Sequence, residues 1–236
     1  MKKVNLILGL SALFMVAAVA APKMDVKEHD KEYDQKNVTS YQKGLPQLYV
    51  CGDSISVGYT PFLKEELKGK FSVVHRRDLA KLFPKIPKVR YSGKGQSLVA
   101  LTKHVLESKE YKPDYLLLNC GLHDIARGGA NLEKYKETLL SLIEMAKANG
   151  VQLIWVTTTP KETGHKINGK VIIFNATARE IMKKNHIPVV DLHACVLMLF
   201  EKYGEKKIMQ KDGVHYTPLG YELQAKFIVA ELKKQK

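Results

Sequence analysis

From Gln47 onward, short apolar runs alternate with longer stretches in which apolar residues return every three or four positions. The short runs are Gln47–Cys51, Phe71–His75, Asp114–Cys120, Val151–Thr158 and Ile187–Asp191, and they predict five strands. Asp114–Cys120 is almost continuously apolar, which suits a strand covered on both faces of a sheet. The helical period is clearest from Leu132 to Asn149. There Leu132, Tyr135, Leu139, Leu142, Ile143 and Ala146 share one face, with Asn131 placed to cap the start and Gly150 to end it. Further helices are predicted after Thr60-Pro61, over about Ser97–Lys109, Asn175–Asn185 and Ala194–Tyr203, and from Thr217-Pro218 onward. Strands alternating with helices at this spacing imply an α/β protein, a parallel sheet between two helical layers with right-handed crossovers.

The front of the chain breaks this pattern. Residues 1–20 carry Lys2 and Lys3, then an apolar run from Leu6 to Val19, then the small residues Ala18-Val19-Ala20, the layout of a cleaved secretory signal. Residues 21–46 are polar and unperiodic and read as an exposed lead-in. One domain over residues 47–236 follows, long enough to bury a sizeable core. The expected location is therefore secreted or periplasmic.

The net charge is +14, but the lysines are scattered and no helix carries a basic stripe interleaved with aromatics. That excludes a recognisable nucleic-acid module and leaves an anionic glycan or envelope surface as a compatible partner. Cys51, Cys120 and Cys195 form no Cys-x-x-Cys pair, and an odd count suits buried small residues better than a disulfide framework.

In a parallel sheet, reactive groups gather where the strands end. The first strand ends at Gly52-Asp53-Ser54 and the third at Gly121-Leu122-His123-Asp124. Ser92-Gly93-Lys94-Gly95 precedes the second crossover helix, and Asp212-Gly213-Val214-His215 precedes the last. Together they offer a hydroxyl, a base, a group to orient the base, and donors for a developing oxyanion. Ser54 is the candidate nucleophile, His215 its base and Asp212 the orienting carboxylate. The candidate oxyanion donors are the Ser54 N–H, the Gly95 N–H and the His123 side chain. Asp53 reads as a structural residue holding the turn.

With these blocks in hand, the chain resembles the SGNH hydrolases of the GDSL esterase/lipase group over about Leu48–Leu232. Gly-Asp-Ser54 matches the first block, Gly95 the second with Gly93 as an alternative, and Asp212-Gly213-Val214-His215 the last. His123 stands where that family usually has asparagine. The resemblance implies a three-layer α/β/α sandwich with a five-stranded, flavodoxin-like parallel sheet. It also implies a serine esterase needing no cofactor and no metal, with short acyl groups, especially acetyl on carbohydrate, as the preferred substrates. Lysophospholipids and thioesters stay open as substrates, as does a non-catalytic glycan-binding envelope protein. A metal site built from Asp191, His193, Asp212 and His215 matches no zinc spacing. A Gly-x-Ser-x-Gly elbow fails because Ser56 occupies the place of the second glycine.

Overall fold

A computed structural model describes residues 41–126 and 131–234. The segment 1–20 read as a signal, and most of the lead-in, lie outside the described residues. Tyr41 already sits edge-on to Phe83, and the Gln42 N–H donates to Ser72 Oγ at 3.1 Å.

Five strands form one parallel sheet: β1 (Gln47–Cys51), β2 (Ser72–His75), β3 (Tyr115–Leu118), β4 (Gln152–Val156) and β5 (Val189–Val190). The spatial order is β2-β1-β3-β4-β5. The first crossover goes from β1 outward to β2, and the chain then returns to the other side of β1. The sequence direction therefore reverses between β1 and β3, and a crevice opens at their carboxyl ends.

Strand residues alternate between two cores. Tyr49, Cys51, Val74, Leu116, Leu118, Leu153 and Trp155 face one layer. Its helices are α3 (Gly95–Glu107), α5 (Leu132–Ala148) and α6 (Asn168–Lys184). Leu48, Val50, Val73, Leu117, Ile154 and Val156 face the other. That layer contains α1 (Ser54–Glu66), α7 (Leu192–Tyr203) and α9 (Pro218–Lys233). Both faces are buried, which is why the central strands can be apolar at every position.

Three elements differ from expectation. Helix α1 starts at Ser54, capped by Asp53, and runs through Pro61 rather than starting there. Thr60 is not a cap; its hydroxyl donates back to the Ser56 carbonyl at 2.5 Å. Packing against α9 outweighs the proline. A side chain at Gly58 would collide with the Tyr221 ring, so the two helices approach closely there. Helix α6 starts at Asn168, seven residues before the periodicity becomes visible. Asn168 is a loop-closing residue, accepting from the Lys161 N–H and donating to the Glu162 carbonyl. Helix α3 begins at Gly95, two residues early. Short helices α2 (Leu79–Leu82), α4 (Leu122–Ala126) and α8 (Glu205–Ile208) are too brief to show a period.

Candidate active site

Ser54 is the first residue of α1, directly after the β1 turn. The Asp53 carboxylate accepts the Ile55 N–H at 2.9 Å and is buried, and burial pushes its pKa above the ordinary range. Asp53 thus satisfies the helix start and leaves Ser54 half-buried at the lip of the sheet.

A polar relay braces this turn from the β2 side. The Arg77 N–H donates to His75 Nδ1 at 3.3 Å, so Nε2 carries the ring proton and donates to Ser56 Oγ at 3.1 Å. Ser56 Oγ donates in turn to the Asp53 carbonyl at 2.8 Å. His75 is fully buried, and desolvation with Arg76, Lys64 and Arg77 nearby holds its pKa well below the usual imidazole value. Arg76 Nε donates to the Gly52 carbonyl at 2.9 Å. Beneath them, Lys64 and Asp78 form a buried ion pair at 2.8 Å.

The opposite wall comes from the segment before α9. Met209 and Tyr216 make an antiparallel bridge, and the Gln210 N–H donates to the His215 carbonyl at 2.8 Å. Gly213 supplies the positive φ of 67° that lets the intervening turn close. Asp212 Oδ1 accepts the N–H groups of Val214 and His215, each at 2.9 Å. Its Oδ2 meets His215 Nδ1 at 2.5 Å, and His215 Nε2 lies 2.8 Å from Ser54 Oγ. Burial works to raise the Asp212 pKa, but hydrogen bonds from the His215 ring and from these backbone groups outweigh it and hold the carboxyl low. The Tyr216 hydroxyl donates to the Pro160 carbonyl at 2.8 Å, and the Glu162 N–H donates to the Gly213 carbonyl at 2.9 Å. The segment after β4 thereby fixes the histidine segment in place.

Ser54, His215 and Asp212 therefore lie in one hydrogen-bonded line, although 161 positions separate serine and histidine. Such a line can move a proton from a hydroxyl to an imidazole and stabilise the resulting imidazolium.

The Gly95 expectation needs correction. The Gly95 N–H donates to both oxygens of Asp124, at 3.1 and 3.2 Å, so it anchors the start of α3 to α4 and is not open toward Ser54. Gly93 stands closer to the candidate oxyanion residue. It has a φ of 79°, and a Cβ there would lie 2.8 Å from the His123 ring. The charge of His123 also lowers the Asp53 pKa, so its ring lies near the turn that carries Ser54. His75, Arg76 and Glu162 have no role in the sequence reading, and Asp124 none beyond its place in the Gly121–Asp124 block. Arg76 follows the end of β2, and extending the strand-end argument to that strand finds it. Asp191 does not join His215 and Asp212; it caps α7 and pairs with Arg179 at 3.0 Å.

Residues 50–223 match the sequence model of the GDSL-like lipase/acylhydrolase family. No curated protein matches the chain significantly. Among solved structures, an alpha/beta hydrolase enzyme from the metagenome of Lake Arreo superposes with a TM-score of 0.65 at 16% identity, covering 84% of this chain and 99% of its own. A GDSL-like lipase from Bacteroides thetaiotaomicron gives 0.59 at 19%, covering 89% and 98%. An acetylxylan esterase from Geobacillus stearothermophilus gives 0.59 at 18%, covering 82% and 96%. At these identities the likeness establishes a shared fold.

Proposed function

The chain belongs to the GDSL-like lipase/acylhydrolase family and is a hydrolase acting on ester bonds, and from that membership we propose that it works through Ser54, His215 and Asp212 by way of an acyl-enzyme. Ser54 Oγ attacks the ester carbonyl carbon while His215 Nε2 takes its proton. Asp212 holds the imidazole and stabilises its charge. The oxyanion of the tetrahedral intermediate meets the N–H of Ser54 at the start of α1, with the Gly93 N–H and the His123 side chain as further donors. As the intermediate collapses, His215 returns the proton to the departing alkoxide. A water then repeats the sequence on the acyl-enzyme and regenerates Ser54. The observation that carries this reading is the unbroken line from Ser54 Oγ through His215 to Asp212.

The proposed substrates are short-chain esters, in particular O-acetyl groups on carbohydrate, met outside the cytoplasm after removal of residues 1–20. The fold shared with an acetylxylan esterase supports that choice. The test is a series of 4-nitrophenyl esters of graded acyl length beside acetylated polysaccharides, with Ser54→Ala as control and fluorophosphonate labelling in parallel. Turnover that falls with chain length, and vanishes with labelling in Ser54→Ala, is expected. Equal hydrolysis by Ser54→Ala overturns the mechanism, and a folded protein that resists labelling favours a binding role.

A further inference from the structure

Beside Ser54, on the β2 side, stands an arginine that the mechanism does not use. The Arg76 N–H donates to the Val50 carbonyl at 3.0 Å, continuing the sheet one residue beyond β2. Its Nε donates to the Gly52 carbonyl, two residues before Ser54, and its guanidinium lies 4.2 Å from the centre of the Tyr91 ring. Two attachments therefore fix the plane of the group. Among the described residues, its Nη groups meet no carboxylate or carbonyl. Asp53 is near enough to sense the charge, but its carboxylate is buried and turned to the Ile55 N–H.

This is a half-buried, planar fork of N–H donors, held just after the strand that neighbours the one ending at the Ser54 turn. A planar guanidinium stacked on an aromatic ring matches a carboxylate with two parallel hydrogen bonds. Because its orientation is already set, little freedom is lost when an anion docks. The surrounding charge agrees. Arg77 is exposed beside it, and Lys94, on the segment facing His123, acts on Asp124. The carboxylates Asp212 and Glu162 lie across the site on the histidine side, so an anionic substrate group is directed toward β2.

Resting on the esterase reading above, we propose that Arg76 forms an anion subsite next to Ser54 and that the preferred substrate is an acetylated glycan whose sugars carry carboxylates. The net charge, +14 for the full sequence and still strongly positive without Lys2 and Lys3, speeds encounter with such a polymer.

The experiment compares kcat/KM of the full-length protein on four substrates: 4-nitrophenyl acetate, acetylated glucomannan free of uronic acids, acetylated polygalacturonan, and an acetylated glycerol-phosphate polymer. The expected result is a preference of about tenfold or more for polygalacturonan over glucomannan at low salt, shrinking severalfold in 0.5 M NaCl. In Arg76→Gln the ratio of the two rates falls toward one, whatever happens to either rate alone, and Arg76→Lys restores part of it. If Arg76→Gln does not fold, competitive inhibition of the parent by unesterified polygalacturonate, and not by glucomannan, carries the same information. Equal rates on the two glycans overturn the inference while leaving the esterase reading intact. A higher rate on the phosphate polymer overturns the carboxylate assignment, and failure to hydrolyse any of the four overturns the reading beneath it.

Discussion

Acidification should destabilise this protein through one buried ring, that of His75. The ring is fully buried, accepts the Arg77 N–H at Nδ1 and donates from Nε2 to Ser56. A second proton would sit on Nδ1, remove that acceptor and place a cation near Lys64, Arg76 and Arg77. The folded state therefore keeps the ring neutral well below the ordinary value of 6.5. The unfolded chain takes up the proton near that value, so below it the unfolded state binds more protons than the folded one. Stability then rises with pH and is lost as pH falls. The slope is at most about 1.4 kcal/mol per pH unit below the unfolded value, which limits the loss at pH 5.0 to about 2 kcal/mol.

Three carboxyls, two of them buried and one half-buried, oppose this trend. Asp53, Asp78 and Asp124 have raised pKa values, chiefly through burial, so the folded state holds their protons to higher pH and they favour it as the solution becomes acid. A single pH profile would mix the two signs. Urea unfolding of the parent and of His75→Gln, measured from pH 7.5 to 5.0, separates them. Glutamine can place a donor near Nε2 but does not titrate. Any packing cost of the substitution is independent of pH, while the stability difference between the two proteins should shrink on acidification, by up to about 2 kcal/mol over that range. A difference that stays constant with pH refutes the neutral buried imidazole.

Two other outcomes test the framework of the site. Asp124→Ala leaves the buried Gly95 N–H without its charged acceptor and should cost about 1.5–3 kcal/mol in urea unfolding; a loss under about 0.5 kcal/mol would show that water replaces the carboxylate, since such substitutions are otherwise near neutral. The three cysteines are unpaired and buried, with Cys51 pushed up to about 11 and Cys195 to about 12 by desolvation. Iodoacetamide at pH 8 should leave the native thiols unmodified over hours and alkylate all three in urea, because only the thiolate reacts; rapid native labelling read by mass spectrometry would contradict their burial.

What could be read from the sequence depended on whether the physical signal was local. The period in Leu132–Ala148 and its Asn131 cap are local, and that helix appears almost where the pattern puts it. The Pro61 boundary failed because the deciding contact, Gly58 against Tyr221, joins segments far apart in the chain. The site divides along the same line. Asp212 and His215 lie within one turn of chain, and the rule that reactive groups stand at strand ends sufficed to bring Ser54 to them. Gly95 failed because its partner, Asp124, lies 29 positions away, and only the β1–β3 pairing brings their segments together. Nothing at Gly95 itself distinguishes an amide open to substrate from one already bonded. His75 and Arg76 depend on the β2–β1 register, which sets Val50 against His75. That register turns the last residue of an ordinary edge strand and the one after it into the wall of the turn that carries Ser54. Edge strands are commonly read as structural closure, yet here the outermost strand on the β2 side leads into the brace for the Ser54 turn and a cation bonded to the Gly52 carbonyl. The reaction and the choice of substrate can thus reside on different strands. In the proposed mechanism Ser54, His215 and Asp212 carry the chemistry, while Arg76 both braces the Gly52 carbonyl and forms the proposed anion subsite. Exchanging Arg76 should therefore change the ratio of rates on anionic and neutral esters, whatever it does to either rate alone.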